Sequence, residues 1–207
     1  MSVPANPKRL AVLISGGGRT LMNLHQRIVS GELCAEITAV ISSRADVAGV
    51  TRARDAGLTT SVIQRRAMSE EAFQTAVTAA VGDADLVCMA GFLSLWRIPD
   101  RMTGRVLNIH PALLPEFGGL GMYGRRVHEA VLAAGKTQSG CTVHFCDNDY
   151  DHGPIILQRK VPVHPNDTPD ELAARVFTEE CIAYPEAIRL FIEDRIRIQD
   201  GRVSVTT

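Results

Sequence analysis

Leu10-Ala11-Val12-Leu13-Ile14-Ser15-Gly16-Gly17-Gly18-Arg19-Thr20 sets five consecutive apolar residues against a glycine turn, and beyond it Leu21, Leu24 and Ile28 recur at helical spacing. A short run that is apolar at every position is the pattern of a strand covered on both faces, as in a parallel sheet. Gly31 stands where a helix C-cap belongs. Strand, turn and helix make one βα unit. The glycines let backbone N–H groups crowd around an anion at the helix N-terminus, where the dipole favours negative charge. No Gly-Lys-Ser/Thr follows as in a P-loop, and Leu21 occupies the third glycine position of a dinucleotide fingerprint. Two readings remain: a cradle for the phosphate of a small ligand, and a tight turn without a ligand.

The alternation continues outward. Ile37–Ile41 reads as a second strand, and a helix follows from Asp46 to about Ala56, stopping at Gly57. Thr59–Ile63 is a weaker strand. Ser69 caps a helix with Glu70 and Glu71 in its first turn and Phe73, Ala76, Val77, Ala80 and Val81 on one face, ending at Gly82. Leu86–Ala90 and the run ending at Arg105-Val106-Leu107 are further strands. A helix carrying Val127, Ala130, Val131 and Ala134 precedes strands at Gly140–Cys146 and Pro154–Val163. Thr168-Pro169-Asp170-Glu171 is a capping box, and Pro185 is predicted to kink or break the helix it opens. Ile196 and Ile198, then Val203 and Val205, alternate around Asp200-Gly201, a type I′ hairpin signal. The expected fold is α/β, a doubly wound, mostly parallel sheet with a C-terminal β-hairpin.

Lys and Arg total 22 against 23 acids in 207 residues, a balance that gives no global attraction to nucleic acid or an anionic membrane. No apolar run reaches the roughly 20 residues that span a bilayer, and Met1 to Arg9 is polar, without a signal segment. The five cysteines (34, 88, 141, 146, 181) form no Cys-x-x-Cys and read as reduced thiols of a cytoplasmic protein. The six histidines show no zinc-ligand spacing. Asp147, Asp149 and Asp151 alternate as in a calcium loop, but His152 and Gln158 hold the positions that need Gly and Glu. No metal is expected.

The chemistry concentrates in Asn108-Ile109-His110-Pro111-Ala112-Leu113-Leu114-Pro115. Residues two apart on a strand face the same side, so Asn108 and His110 project together. Pro111 ends the ladder there, at the strand edge where open α/β sheets bind ligands. An isolated Asn-x-His also serves as a polar strand end, with the histidine capping a loop carbonyl. A carboxylate from Asp147–Asp151 beside His110 would favour the imidazolium and raise its pKa. Asn108 and a protonated His110 would then donate to a developing oxyanion. The chain has no Gly-x-Ser-x-Gly and no cysteine beside the histidine. These absences argue for direct acyl transfer between two bound substrates, with His and Asp moving protons. Gly118 to Gly124 is the expected mobile loop.

With Asp151-x-Gly153-Pro154-Ile155 and Ser15-Gly16-x-Gly18, this stretch resembles the folate-dependent formyltransferases from about Leu10 to Phe191. The resemblance implies formyl transfer from 10-formyltetrahydrofolate to the amine of glycinamide ribonucleotide in purine biosynthesis. The alternative acceptor is a nucleotide-linked amino sugar or another small amine. It implies His110, Asn108 and Asp151 as catalytic residues, and Gly18, Arg19, Thr20 and Glu180 as contacts to the ribonucleotide. Leu93, Ser94, Leu95 and Trp96, with Asn108 and Asp147, Asn148, Asp149, Tyr150 and Asp151, would line the folate site. It also implies a cis Leu114–Pro115 bond and one domain over residues 1–207, with nucleotide-phosphate binding up to about residue 105 and catalytic and folate groups in 106–207. Partners are expected to be small molecules only, with the protein a monomer or homodimer. From the chain length, the RNA-binding and regulatory domains appended in other members are not expected here. Three departures stand out: Gly17, Arg19 and Thr20 where the family turn has Asn, Ser and Asn; Ser94 in place of an arginine; and a longer stretch from Glu116 to Gln138.

Overall fold

The computed structural model of the chain describes residues 6–206, so that residues 1–5 of the polar N-terminal stretch lie outside the described residues. It divides into two compact units, residues 1–107 and 108–207.

In the first unit β1 (Lys8–Ile14) is flanked by β2 (Ala35–Ser42) and β4 (Leu86–Met89), parallel to both. β3 (Thr60–Val62) adds to β2, also parallel. Leu10 to Ile14 are fully buried, as a strand with a neighbour on each side and no solvent face must be. β1 begins two residues before the apolar run because Lys8 and Arg9 still pair with Ala35 and Glu36. The connecting helices are α1 (Arg19–Val29), α2 (Ala48–Asp55) and α3 (Glu70–Val81). α2 starts after Asp46 because Val47 is extended. Ser69 caps α3, accepting from the Ala72 N–H at 3.2 Å, and Phe73, Val77 and Val81 are its buried face.

β5 (Val106–His110) ends in the second unit, and the strand order of the sheet is β3-β2-β1-β4-β5-β6-β7. β6 (Gln138–Phe145) and β7 (Ile155–Pro162) pair antiparallel, with a register shift between Val143 and His144. α4 (Arg125–Ala133) precedes them, and α5 (Pro169–Ile192) follows. The sheet is thus mixed, mostly parallel, and flanked by helices. The predicted capping box forms in full, and Thr168→Ala is expected to lower stability by about 1 kcal/mol, read as a shifted urea midpoint. Of the kink or break expected at Pro185, the break does not occur: α5 runs through it. Ala183, Tyr184, Ala187 and Ile188 around it are all fully buried. Their packing outweighs the backbone bond that the proline removes. β8 (Ile196–Gln199) and β9 (Arg202–Val205) form the hairpin, turning at Asp200 and Gly201, both at positive φ as a type I′ turn requires. Among the described residues no helix is long and apolar enough to cross a membrane.

Candidate active site

The end of β5 brings Asn108 and His110 to the same side, His110 only 3% exposed. Beside them β6 presents His144, 1% exposed. Asp151 arrives from the loop between β6 and β7, held by two local features. Its own φ is positive, and Gly153 folds back so closely that a Cβ there would strike the Phe145 carbonyl. The Phe145 N–H then donates to the Pro154 carbonyl at 2.9 Å. Glycine two residues after the aspartate is therefore a packing requirement for the Asp-x-Gly turn.

Four polar side chains converge. One N–H of Asn108 Nδ2 donates to Asp151 Oδ1 at 3.2 Å, and the other faces His144 Nε2 at 3.1 Å. His144 Nδ1 donates to the Phe145 carbonyl at 2.9 Å, an arrangement that leaves Nε2 as the acceptor for Asn108. His110 Nε2 donates to the Phe117 carbonyl at 2.8 Å, while its Nδ1 lies 3.4 Å from Asp151 Oδ2. That same Oδ2 accepts from the Gly119 N–H at 3.0 Å.

Burial draws the His110 pKa below the ordinary 6.5, although the Asp151 charge and the Phe117 carbonyl both work to raise it. The sequence-based expectation of a raised pKa is corrected here. The carboxylate acts in the expected direction, but taking an imidazolium out of water costs more than the pair returns. For Asp151 burial works upward, yet His144, His110 and the Gly119 N–H together hold the carboxyl below its ordinary value. The arrangement at neutral pH is a carboxylate facing a neutral imidazole, whose Nδ1 can take up a proton when negative charge develops nearby.

Of the three alternating aspartates only Asp151 joins this cluster. Asp147 instead accepts from the Asp149 N–H at 2.9 Å and pairs with the exposed His152 at 2.8 Å. Asn148 and Tyr150 are exposed on the same loop. Leu114–Pro115 is cis. Glu180 lies on α5, where its charge helps burial push the Cys141 thiol up to about 12.

In the first unit, Gly18 caps α1 at φ 72, and a Cβ there would meet the Cα of Gly49 at 2.8 Å. The Gly49 N–H donates to the Gly16 carbonyl at 3.1 Å, so the start of α2 is packed against the turn. Arg19 and Thr20 open α1, with Arg19 exposed. Arg52, which no motif singles out, donates from its guanidinium to the Gly17 carbonyl at 2.5 Å. Leu93 is exposed and Ser94 and Leu95 partly so. Trp96 is 1% exposed and donates its ring N–H to Thr78 at 3.0 Å, so its side chain packs into the core.

Sequence reasoning also missed His144. Its signal was present, since a buried histidine in an apolar strand must find partners, and Thr142 and His144 alternate along β6 as Asn108 and His110 do along β5.

The sequence model of the formyl transferase family matches residues 8–188. A phosphoribosylglycinamide formyltransferase from Haemophilus influenzae is 37% identical over 94% of the chain and 92% of its own length. A chloroplastic phosphoribosylglycinamide formyltransferase from Vigna unguiculata is 38% identical over 94% of the chain, which spans 64% of that relative. Among solved structures, glycinamide ribonucleotide transformylase 1 from Symbiobacterium toebii superposes with a TM-score of 0.88 at 41% identity, covering 98% of this chain and 96% of the other.

Proposed function

The chain belongs to the formyl transferase family, and from that membership we propose that it transfers the formyl group of 10-formyltetrahydrofolate to the amine of glycinamide ribonucleotide, a step of purine biosynthesis. The observation that carries this reading is the convergence of Asn108, His110 and Asp151, found in a chain whose relatives carry that name.

The amine nitrogen attacks the formyl carbon, and the carbonyl oxygen becomes an oxyanion. Asn108 and His110 are the donors for it. Their N–H groups rest on Asp151, His144 and Phe117, internal acceptors that can be exchanged for the stronger charge of the oxyanion. Asp151 and His110 hold the proton lost by the attacking amine and return it to the folate nitrogen as the carbon–nitrogen bond to the carrier breaks. Both nucleophile and leaving group are nitrogens that need only proton transfer, so the proposed reaction uses no metal.

In this reading residues 1–207 act as one formyltransferase domain. The first unit's Gly18, Arg19 and Thr20 take the ribonucleotide phosphate, and Glu180 contacts the ribose. Leu93, Ser94 and Leu95, with Asp147 to Asp151, serve the folate. Gly18→Ala forces a side chain into the left-handed region and against Gly49. It is expected to raise KM for the ribonucleotide by about tenfold, one charge-assisted contact's worth, and to leave KM for folate unchanged. Initial-rate kinetics with each substrate varied in turn checks this.

The direct test mixes the protein and 10-formyltetrahydrofolate with glycinamide ribonucleotide and nucleotide-linked amino sugars, following folate absorbance and identifying the product by mass spectrometry. Preferential formylation of a sugar would overturn the choice of acceptor while leaving the transfer chemistry in place.

A further inference from the structure

Pro111 ends β5's hydrogen-bonding ladder directly after His110, so the next residues need other partners for their backbone groups. Two side chains supply them. Thr142 on β6, fully buried, donates its hydroxyl to the Ala112 carbonyl at 2.7 Å and accepts from the Leu114 N–H at 3.0 Å. Gln158 on β7, its cross-strand partner, donates from Nε2 to the Leu114 carbonyl and to Thr142 Oγ1, both at 2.9 Å. The hydroxyl of Thr142 thus uses its one donor and both acceptor positions.

We propose that Gln158 is a positioning residue for formyl transfer: its amide, bonded at once to Leu114 and Thr142, fixes the segment that joins His110 to Phe117. That segment begins at His110 and ends at the carbonyl that holds His110 Nε2 at 2.8 Å. The clamp sits midway between the two. Freed at Leu114, the segment would let Phe117 and the Gly119 N–H drift, and with them the ring of His110 and the Oδ2 of Asp151. Gln158 touches none of the reacting groups; it acts through Leu114 and Thr142.

Gln158 is itself exposed on a strand at the end of the sheet order, so its replacement leaves the core intact. Gln158→Glu keeps the shape but removes both N–H donors and sets a carboxylate against the Leu114 carbonyl. The expected result is a fall in kcat of tenfold or more, on the scale of a misplaced catalytic group, with KM for both substrates little changed. Thr142→Ser, which keeps the hydroxyl, should retain most of the rate, whereas Thr142→Val should lose it. Independently of any substrate, amide hydrogen exchange at Leu114 should accelerate in Gln158→Glu and the His110 ring resonances should move.

A wild-type kcat in Gln158→Glu, with only the melting temperature lowered, would show a merely stabilising clamp and overturn the proposal. So would unchanged exchange and ring resonances. The inference rests on His110 being catalytic in the proposed reaction. Failure of the wild-type protein to formylate glycinamide ribonucleotide counts against that reaction, whereas exchange and ring resonances report on the clamp whatever the acceptor.

Discussion

His110→Ala is expected to lower kcat by about 10²–10³-fold, the cost of losing one donor to an oxyanion, while the ribonucleotide binds almost as before. The asymmetry follows from where the charge is. The ground-state formyl oxygen is a neutral acceptor that the site serves weakly, and only the tetrahedral intermediate carries full negative charge. In the structure the histidine is 3% exposed and bonded to the Phe117 carbonyl, with Asp151 on its other nitrogen. Asn108→Ala should fall by a similar factor for a partly different reason. It removes an oxyanion donor and also strips Asp151 Oδ1 of its 3.2 Å partner. Because the two donors serve one charge, the double variant should lose less than the product of the single losses. Single-turnover rates with saturating folate, and ribonucleotide affinity by calorimetry, separate the two parameters. A His110→Ala protein with near-wild-type turnover would remove this residue from the mechanism.

Asp151→Asn should reduce kcat on the order of 10²-fold, within the range for a positioned proton-transfer group. Burial already holds His110 below its ordinary value, and Asp151 is the largest of the influences opposing that. Without the carboxylate's charge the His110 midpoint falls further, and the ring becomes less able to take up a proton at neutral pH. Stability responds as well. A carboxyl with a lowered folded pKa contributes stability above its unfolded pKa and loses that contribution as pH falls through the folded value. Asp151→Asn should therefore flatten the acid side of the stability curve, below the ordinary 3.8 of an aspartate. His110 adds loss of the same sign at higher pH: a histidine held below 6.5 resists protonation in the fold, so stability falls as pH drops through 6.5 towards its folded pKa. Histidine resonances followed by NMR across pH give the midpoint directly. An unmoved His110 midpoint in Asp151→Asn would break the coupling, and Asp149→Asn serves as the comparison because Asp149 is exposed and outside the cluster.

Several features were legible from the residues alone because their causes are local. Period and punctuation located β1, α1, α3 and the C-terminal hairpin, since an unbroken apolar run, a capping serine and an Asp-Gly pair act through bonds a few residues long. Asn108 and His110 were found on one side of a strand end because alternation is a property of the extended chain itself. The Asp-x-Gly turn was visible as a motif, but its geometry depends on the Phe145 carbonyl, which Gly153 must approach.

What the chain alone could not determine depends on groups far apart in sequence. Asn108 and Asp151 are 43 residues apart, and Asn108 and His144 are 36 apart, so residue pattern alone left three aspartates open, the family resemblance pointed to Asp151, and only folding brings in the second histidine. The sign of the His110 shift is a contest between desolvation and charge, and burial is not encoded by adjacency. Pro185 remains helical because buried neighbours on both sides hold it there, and Trp96 turns to Thr78 and the core although it lies in a segment that reads as pocket lining. The sequence therefore determined which groups stand at the strand ends, through local sterics and hydrogen bonding. The tertiary structure decided which of them meet and in what protonation state, because through-space distance and loss of water set the energies that local pattern leaves open.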